Sequence, residues 1–269
     1  MKKLLLSLLI IGSTFSAAIA QDYKKVFFKD LTIENNHVKV TVEDAVATPA
    51  GIKFRLKIFN KTNDYVVYKP VESSFKIGGK DYKPEEKWLI IRPNEDDYRT
   101  VNLKGAGFVI PENFNFVLSG LYKFSPESPG VSAPDFKLPA AQNEFKAGNF
   151  TVTLVKFKKE TARTDAKFKV TYSGDKIGIF EPNKVAMKMP DGKEFANFYS
   201  DKKPLIFAKG DMDDFAVAWK DIPNTSGDMQ KVDMNILWRN AFKEITPDKI
   251  DSQILNLQFD KEMSDAKGK

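Results

Sequence analysis

The sequence contains no cysteine and a single histidine, and these two shortages exclude most of the common chemistries of protein sites. Without cysteine there is no disulfide, no thiolate nucleophile and no lipid attached to an N-terminal cysteine. The one imidazole, His37, follows Asn35 and Asn36 with no nucleophile-elbow sequence, so we expect a surface turn rather than a Ser-His-Asp site. Zinc and redox metals would lack their usual thiolate and imidazole ligands.

Arginine is also scarce, since only five of the 42 basic residues are arginine: Arg55, Arg92, Arg99, Arg163 and Arg239. Arginine is the usual bidentate partner of phosphates and guanine edges, so we expect no nucleic-acid partner. The formal charge of +6 falls to +4 if Lys2 and Lys3 are removed with a signal segment, which is modest.

Long hydrophobic runs are missing except at the N-terminus. Two lysines precede an apolar run at residues 4–11, and Ala18 and Ala20 occupy the −3 and −1 positions of a signal-peptidase site. The run is shorter than the roughly 20 residues that cross a bilayer. Residues 1–20 therefore predict a cleaved secretory signal. The expected product begins at Gln21 and is soluble in the periplasm or at the cell surface, neither membrane-spanning nor a lipoprotein.

Apolar and polar residues alternate with period two through most of the remaining chain, a pattern typical of half-buried strands. Clear examples are Val38, Val40 and Val42, then Phe54, Leu56 and Ile58, and later Phe168, Val170 and Tyr172. Only residues 240–250 offer a helix, of one or two turns. With 42% hydrophobic residues the chain can build a core, and the predicted fold class is all-β.

Residues 125–135 contain three prolines, three serines and a glycine, and such a segment cannot pair into a sheet. We interpret it as a linker between a first domain at 21–124 and a second at 136–269. Both pieces have the size of ordinary single domains.

The two halves repeat one another in the same order. Lys69-Pro70 recurs as Glu181-Pro182 after 112 residues, and Ile110-Pro111 recurs as Ile222-Pro223 after 112 residues. Each half contains about seven or eight short strands spaced by turns, which is typical of an immunoglobulin-like sandwich. The sequence therefore predicts two tandem immunoglobulin-like β-sandwich domains.

Each half also has a hairpin, a polar loop and a strand ending in an aliphatic-proline step, at 75–82, 93–103 and Ile110-Pro111, and at 187–195, 209–219 and Ile222-Pro223. This pattern resembles the secreted bacterial immunoglobulin-like sandwiches often grouped as telokin-like. The resemblance implies extracytoplasmic binding or assembly modules with no common catalytic activity.

Two acidic clusters occupy similar places in the halves: Glu95, Asp96 and Asp97 precede Tyr98, and Asp211, Asp213 and Asp214 precede Phe215. Calcium is the cation that carboxylates alone would favour, but it takes six to eight oxygens and each cluster supplies about three carboxylates. Three interpretations stay open: a solvated loop bonded to its own backbone, a calcium site, or an acidic loop that docks a partner. No other cofactor is expected.

Aromatic residues outside the alternation are candidates for a surface that binds sugar or peptide. Trp219 and Trp238 are in phase with apolar strand positions, so we expect them in the core. Trp88 follows Glu85-Glu86-Lys87 outside clear alternation. Four tyrosines of the same half lie near predicted strand ends, where they could form a binding platform or the rim of the core: Tyr65, Tyr68, Tyr82 and Tyr98.

These observations predict an exported, non-catalytic binding or assembly protein of the bacterial cell envelope that acts through an envelope protein partner. The alternative is a carbohydrate-binding or adhesin-like module that holds a glycan with exposed aromatics. A hydrolase of unknown type comes third, because no pair among the 36 acidic residues is marked out as catalytic.

Overall fold

The computed structural model describes residues 23–105, 110–199, 201–220, 222 and 228–269. Residues 1–20, the cleavage point before Gln21 and Pro223 of the second aliphatic-proline step lie outside this range. Within the described residues the fold is all-β, as the alternation predicts, with one short α-helix.

The first unit is a sandwich whose front sheet faces two smaller back sheets. Its strands before the linker are β1 (Val26–Phe27), β2 (Leu31–Glu34), β3 (Val38–Thr48), β4 (Gly51–Asn60), β5 (Tyr65–Tyr68), β6 (Ser74–Ile77), β7 (Lys80–Tyr82), β8 (Leu89–Ile91), β9 (Asp96–Lys104), β10 (Asn113–Leu118) and β11 (Leu121–Phe124). The front sheet has the order β1, β3, β4, β9, with β2 also beside β3.

Alternation along these strands builds the core between the sheets. Phe54 of β4 and Phe116 of β10 are both buried, and their ring centroids lie 5.1 Å apart in an edge-to-face contact. In the back sheets β10, β6 and β7 are consecutive, as are β11, β5 and β8. The single imidazole lies where the sequence predicts, in the turn from β2 to β3, where Asn35 Oδ1 accepts the backbone N–H of His37 at 2.8 Å.

The second unit repeats most of this arrangement, with no strand among the described residues in the place of β1. Its strands are β12 (Phe136–Leu138), β13 (Glu144–Ala147), β14 (Phe150–Lys159), β15 (Arg163–Tyr172), β16 (Ile177–Phe180), β17 (Ala186–Lys188), β18 (Glu194–Ala196), β19 (Leu205–Phe207), β20 (Met212–Lys220), β21 (Met234–Leu237) and β22 (Phe242–Ile245). The front order β13, β14, β15, β20 matches β2, β3, β4, β9 of the first unit. The back orders β21, β17, β18 and β22, β16, β19 match β10, β6, β7 and β11, β5, β8.

Short 3₁₀ helices occupy matching places in the two units, at Pro70–Glu72 and Pro182–Lys184, and a third lies at Met229–Lys231. The residues before the matching pair, Lys69 and Glu181, have nearly the same extended backbone, with φ of −106° and −107°. Proline at the first helical position sets the same entry in both units.

The C-terminal segment packs with the first unit, which corrects the boundary expected from the sequence for the second domain, 136–269. Its elements are β23 (Asp248–Lys249), β24 (Gln253–Gln258) and the helix α1 (Lys261–Lys267). β24 pairs with β10 and β23 pairs with β11. Leu255 and Leu257 of β24 lie in the first core. β24 thus fills the place beside β10 that β12 fills beside β21 in the second unit.

The helix expected at residues 240–250 is wrong, because these residues form β22 and β23. Phe242 pairs with Phe180 of β16 and both rings are buried, so tertiary pairing overrides the local helical pattern. The helix lies instead at α1, which begins where Asp260 Oδ1 accepts the N–H of Met263 at 2.9 Å.

The two units meet at a small apolar cluster. Val67 and Phe124 of the first unit and Ile177 and Ile179 of the second are buried together. The linker at 125–135 has no strand or helix, as its composition predicts. It nevertheless makes contacts with the second unit. One of these is the hydrogen bond from Val131 N to Phe242 O at 2.7 Å.

Candidate functional site

Two of the candidate tyrosines are packing residues. Tyr68 is fully buried, which corrects the expectation that it lies at a binding surface; its hydroxyl lies 3.1 Å from Ser73 Oγ, and burial raises its pKa. Tyr65 is half-buried and stacks on Phe124 with 5.5 Å between ring centroids, beside the contact of the two units. Both tyrosines stabilise the core or the contact between units.

Trp88 is half-buried and packs against the apolar cluster between the units. The ammonium of Lys69 lies 4.2 Å from the ring centroid of Trp88 and so covers part of that ring. The same ammonium lies 4.6 Å from the ring centroid of Tyr122. The pKa of Lys69 is lowered by burial. Trp88 therefore holds a cation of its own chain rather than presenting an open platform.

Tyr98 is the candidate aromatic that is well exposed, at 52% of its surface. It lies on the outer face of β9, opposite Lys57 of β4, and the guanidinium of Arg55 lies 4.4 Å from its ring centroid. Tyr82 is half-buried against the first core. Of the four tyrosines, Tyr98 is thus the one placed to contact a partner.

The first acidic cluster extends into strand β9 rather than staying in a loop. Successive strand residues point to opposite faces, so Asp96 and Asp97 point apart. Asp96 Oδ2 lies 2.8 Å from Lys57 Nζ, and this hydrogen bond raises the pKa of the lysine. Asp97 Oδ1 accepts the N–H of Tyr98 at 2.7 Å. Glu95 precedes the strand.

The second cluster behaves in the same way at the start of β20. Asp211 Oδ2 accepts the N–H of Ala208 at 2.8 Å, and Asp213 Oδ1 accepts that of Asp214 at 2.7 Å. Asp214 Oδ2 lies 2.8 Å from Lys167 Nζ, whose hydrogen bond lowers the pKa of the carboxyl group. Among the described residues, no group of three or more His, Asp or Glu side chains is placed to hold a metal ion.

The edge of β9 that faces away from β4 is the candidate binding surface of the first unit. Tyr98 and Asn102 turn their backbone N–H groups away from β4, and Thr100 between them has the same orientation. Residues 83–88 run beside this edge, where Glu86 Oε1 accepts both the backbone N–H of Asn102 at 2.7 Å and its side-chain amide at 3.0 Å. Acidic side chains thus cap two donors of the edge.

Two grooves flank Glu86 along β9, and together we call them the β9 groove. One has a volume of about 450 Å³ and the other about 540 Å³. Their linings include Asn102 and Lys104 on one side of Glu86, and Tyr98 and Thr100 on the other. Inside, Glu86 Oε2 and Arg99 Nε are buried without a hydrogen-bond partner. Buried polar atoms left in this way are rare in stable folds.

The matching edge of the second unit is closed. Asn197 Oδ1 accepts the N–H of Ala218 at 3.0 Å, as Glu86 accepts that of Asn102, and Asp213 caps Asp214 as Asp97 caps Tyr98. Here, however, Phe198 N also donates to Ala218 O at 2.8 Å, so backbone joins backbone. In the first unit the segment 83–88 holds β9 through side chains and the carbonyl of Trp88, which accepts from Arg99 at 2.7 Å.

Sequence reasoning missed Glu86 and Asn197 as edge residues. In the sequence Glu86 belongs to a charged run, Glu85-Glu86-Lys87, and such a run predicts a solvated surface. The repeat offers a partial signal, because each residue precedes an acidic cluster in its own half. Only the fold shows that both side chains bond to a backbone N–H of an edge strand.

No protein-family model matches this chain, and no curated protein matches it. In the described part of the chain, no helix combines the length and the hydropathy that a bilayer crossing requires.

Proposed function

We propose that this chain is an exported, non-catalytic binding protein of the bacterial cell envelope, and that it holds an extended segment of a protein partner along the edge of β9. Export is supported by the signal pattern of residues 1–20, and binding by the geometry of the β9 groove. An extended segment adds to a sheet by hydrogen bonds to an edge strand, and neighbouring grooves take its side chains.

The contrast between the two edge strands carries the proposal. β20 is closed by the backbone hydrogen bond from Phe198 to Ala218, whereas β9 is capped by the carboxylates of Asp97 and Glu86. A carboxylate cap can move aside by rotation of its side chain, without unfolding the chain that carries it. A partner strand that replaces the cap also leaves Glu86 free to reach water.

Tyr98 and Arg55 add an anchor beside the groove. Their stacked side chains lie on the outer face of the front sheet, Tyr98 on β9 and Arg55 on the neighbouring β4, and tyrosine and arginine are among the residues that most often dominate protein interfaces. The alternative, a glycan platform of several aromatics, has less support because the ring of Trp88 is covered by Lys69 and Tyr68 is buried.

The test removes the backbone N–H of Thr100, which points away from β4 at the edge of β9. Proline is tolerated on an edge strand where the N–H faces away from the sheet, so Thr100→Pro keeps the pairing with β4 but blocks an added strand. Ala216→Pro is the matched control at the equivalent place of β20. Both variants and the wild type would carry a photocrosslinker in place of Tyr98, in intact cells that export the protein.

We expect one discrete crosslinked protein with the wild type and with Ala216→Pro, and its loss with Thr100→Pro. A crosslink that survives Thr100→Pro, or the absence of any crosslinked protein with the wild type, would overturn the proposal. Circular dichroism of the purified variants checks that each retains its strands.

A further inference from the structure

The outer face of the second front sheet carries more positive than negative charge. We call this surface the basic face and define it by the outward residues of β13, β14, β15 and β20, which include seven basic side chains: Lys146, Lys156, Lys158, Arg163, Lys167, Lys169 and Lys220. Three acidic side chains share it: Glu144, Asp165 and Asp214.

The centre of the basic face places like charges opposite one another. Lys156 of β14 pairs in register with Lys167 of β15, just beyond a bulge at Val155. Lys167 Nζ lies 2.8 Å from Asp214 Oδ2, and Lys169 lies opposite Asp214 in register, but Lys156 has no ion-pair partner among the described residues. Like charges directly opposite one another across strands destabilise a sheet. A bound anion would remove this repulsion.

The same face of the first unit shows that the fold does not require this charge. The outward residues of β2, β3, β4 and β9 include five basic and three acidic side chains: Lys39, Lys53, Arg55, Lys57, Lys104, Glu34, Glu43 and Asp96. Opposite charges lie next to one another there, with Lys57 Nζ 2.8 Å from Asp96 and Arg55 3.8 Å from Glu43. The excess of basic side chains is therefore larger on the second unit, with seven basic against three acidic, than on the first, with five against three.

We propose that the basic face binds an anionic polysaccharide. Lysine ammonium groups are point charges that accept dispersed carboxylates without a fixed geometry. Arg163, which could supply bidentate recognition, already holds Asp165 through two hydrogen bonds of 2.6 Å. Hydroxyl groups suited to sugar hydroxyls lie between the lysines on the same face, at Thr151, Thr153 and Thr171.

Two other kinds of partner fit this face less well. The outward strand positions carry no aromatic residue; beside the face, Phe198 is exposed but has the ammonium of Lys220 4.0 Å from its ring centroid. The strands themselves therefore lack the aromatic anchors that dominate protein interfaces. Its exposed apolar side chains lie apart, Val155 at the bulge in the middle of β14 and Met212 at the start of β20 with β15 between them, and they form no continuous patch for a lipid surface. A carboxylated polysaccharide matches both the charge and the hydroxyl groups.

The test measures binding of the purified exported chain to polygalacturonate by titration calorimetry, with neutral dextran as the control polymer. The variant Lys156→Glu with Lys169→Glu reverses two central charges, and Lys39→Glu with Lys53→Glu is the matched control on the first unit. Lys156→Gln with Lys169→Gln removes the charges alone if the reversal perturbs folding. Vesicles of phosphatidylglycerol form a separate arm.

We expect saturable binding to polygalacturonate that weakens as sodium chloride rises from about 50 to about 200 mM, because counterions are released on binding. The central variants should weaken it at least about tenfold while the control pair leaves it unchanged. No binding to polygalacturonate, equal loss with the control pair, or tighter binding to vesicles would each overturn the proposal. Thr100→Pro should bind polygalacturonate normally, since the basic face does not depend on β9.

Discussion

Leu255 lies directly opposite Phe116 across the antiparallel pair of β24 and β10, and both side chains are fully buried in the first core. The last strand of the chain therefore completes the sandwich formed by the first half. The two units are joined by the linker and again by this return of the chain.

The C-terminal strand should be essential to the first unit. Leu255→Ala removes buried methyl groups from the core and should lower the free energy of unfolding by about 2–5 kcal/mol. Ile254→Ala is the matched control, because Ile254 lies on the opposite face of β24 and is 62% exposed; we expect a change within about 0.5 kcal/mol. Urea denaturation gives both values.

Hydrogen exchange places the effect within the chain. Leu255→Ala should speed exchange of the amides of β10 and leave those of β21 protected, because the place beside β21 is filled by β12. Exchange that speeds in β21 and not in β10 would contradict the assignment of β24 to the first core.

The sequence predicts the strands but not all of their partners. Val38, Val40 and Val42 alternate because one face of β3 is buried, and that information is local. The alternation of Leu255 and Leu257 likewise predicts a strand, but it does not say which sheet receives it. Neighbouring strands usually pair, so position in the chain pointed to the second unit.

The residues of the candidate site are likewise predicted only where their pattern is local. Trp88 falls outside the alternation because it packs where two units meet, and a contact between units leaves no period in either half. The sequence names Tyr98 as a candidate because it is a tyrosine near a predicted strand end, and the structure leaves it exposed. Glu86 was missed because only its 2.7 Å contact with the Asn102 N–H distinguishes it from other surface glutamates.

A buried ion pair lies near the contact of the two units. Lys243 Nζ is 2.5 Å from Glu181 Oε2 and donates to Pro126 O at 2.7 Å, and both side chains are nearly inaccessible to solvent. Lys243→Met should lower the free energy of unfolding by about 3–5 kcal/mol, because it leaves Glu181 buried without a counter-charge. Urea denaturation measures the loss.

The double variant Lys243→Met with Glu181→Gln provides the control, since it removes both charges at once. We expect it to recover most of the lost stability. A double variant no more stable than Lys243→Met alone would show that the loss comes from packing or from the bond to Pro126, and not from the uncompensated carboxylate.

Asn197 should matter more for stability than its counterpart Glu86. Asn197 is buried, its amide donates to Pro182 O at 3.2 Å and its carbonyl accepts from Ala218 N at 3.0 Å. Asn197→Ala leaves the N–H of Ala218 without a partner, whereas Pro182 O keeps the N–H of Val185 at 3.3 Å, and the loss should be about 1–3 kcal/mol. Glu86→Ala should cost less, because the grooves beside Asn102 admit water in place of the carboxylate.

Thermal denaturation of Asn197→Ala and Glu86→Ala compares the stability that each variant loses. A larger loss for Glu86→Ala than for Asn197→Ala would mean that the edge of β9 is as closed as that of β20. That result would also remove the contrast on which the proposed binding of an extended segment depends.

The helix α1 should stay docked between about pH 4 and pH 10. Asp265 accepts a hydrogen bond from Lys261 at 2.8 Å and one from the Tyr23 hydroxyl at 2.7 Å. These bonds lower the pKa of the Asp265 carboxyl group to about 2, with Lys261 the larger cause. The hydrogen bond to Asp265 raises the pKa of Tyr23 to about 12.

The stability that each group contributes depends on pH because its pKa differs between the folded and the unfolded state. The carboxylate is favoured in the folded state, so its contribution is fully present above the ordinary pKa of 3.8 and is lost as pH falls toward 2. The neutral phenol is favoured in the folded state, so its contribution is fully present below the ordinary pKa of 10.0 and is lost as pH rises toward 12.

The amide of Phe27 reports the docking, because it donates to Ser264 Oγ of α1 at 2.9 Å. Its protection from hydrogen exchange, corrected for intrinsic rates, should fall below pH 4 in the wild type. In Asp265→Asn, which cannot ionise, protection should be lower at neutral pH and nearly constant between pH 4 and 2. Wild type and variant that lose protection in parallel over that range would show that global acid unfolding, and not Asp265, releases the helix.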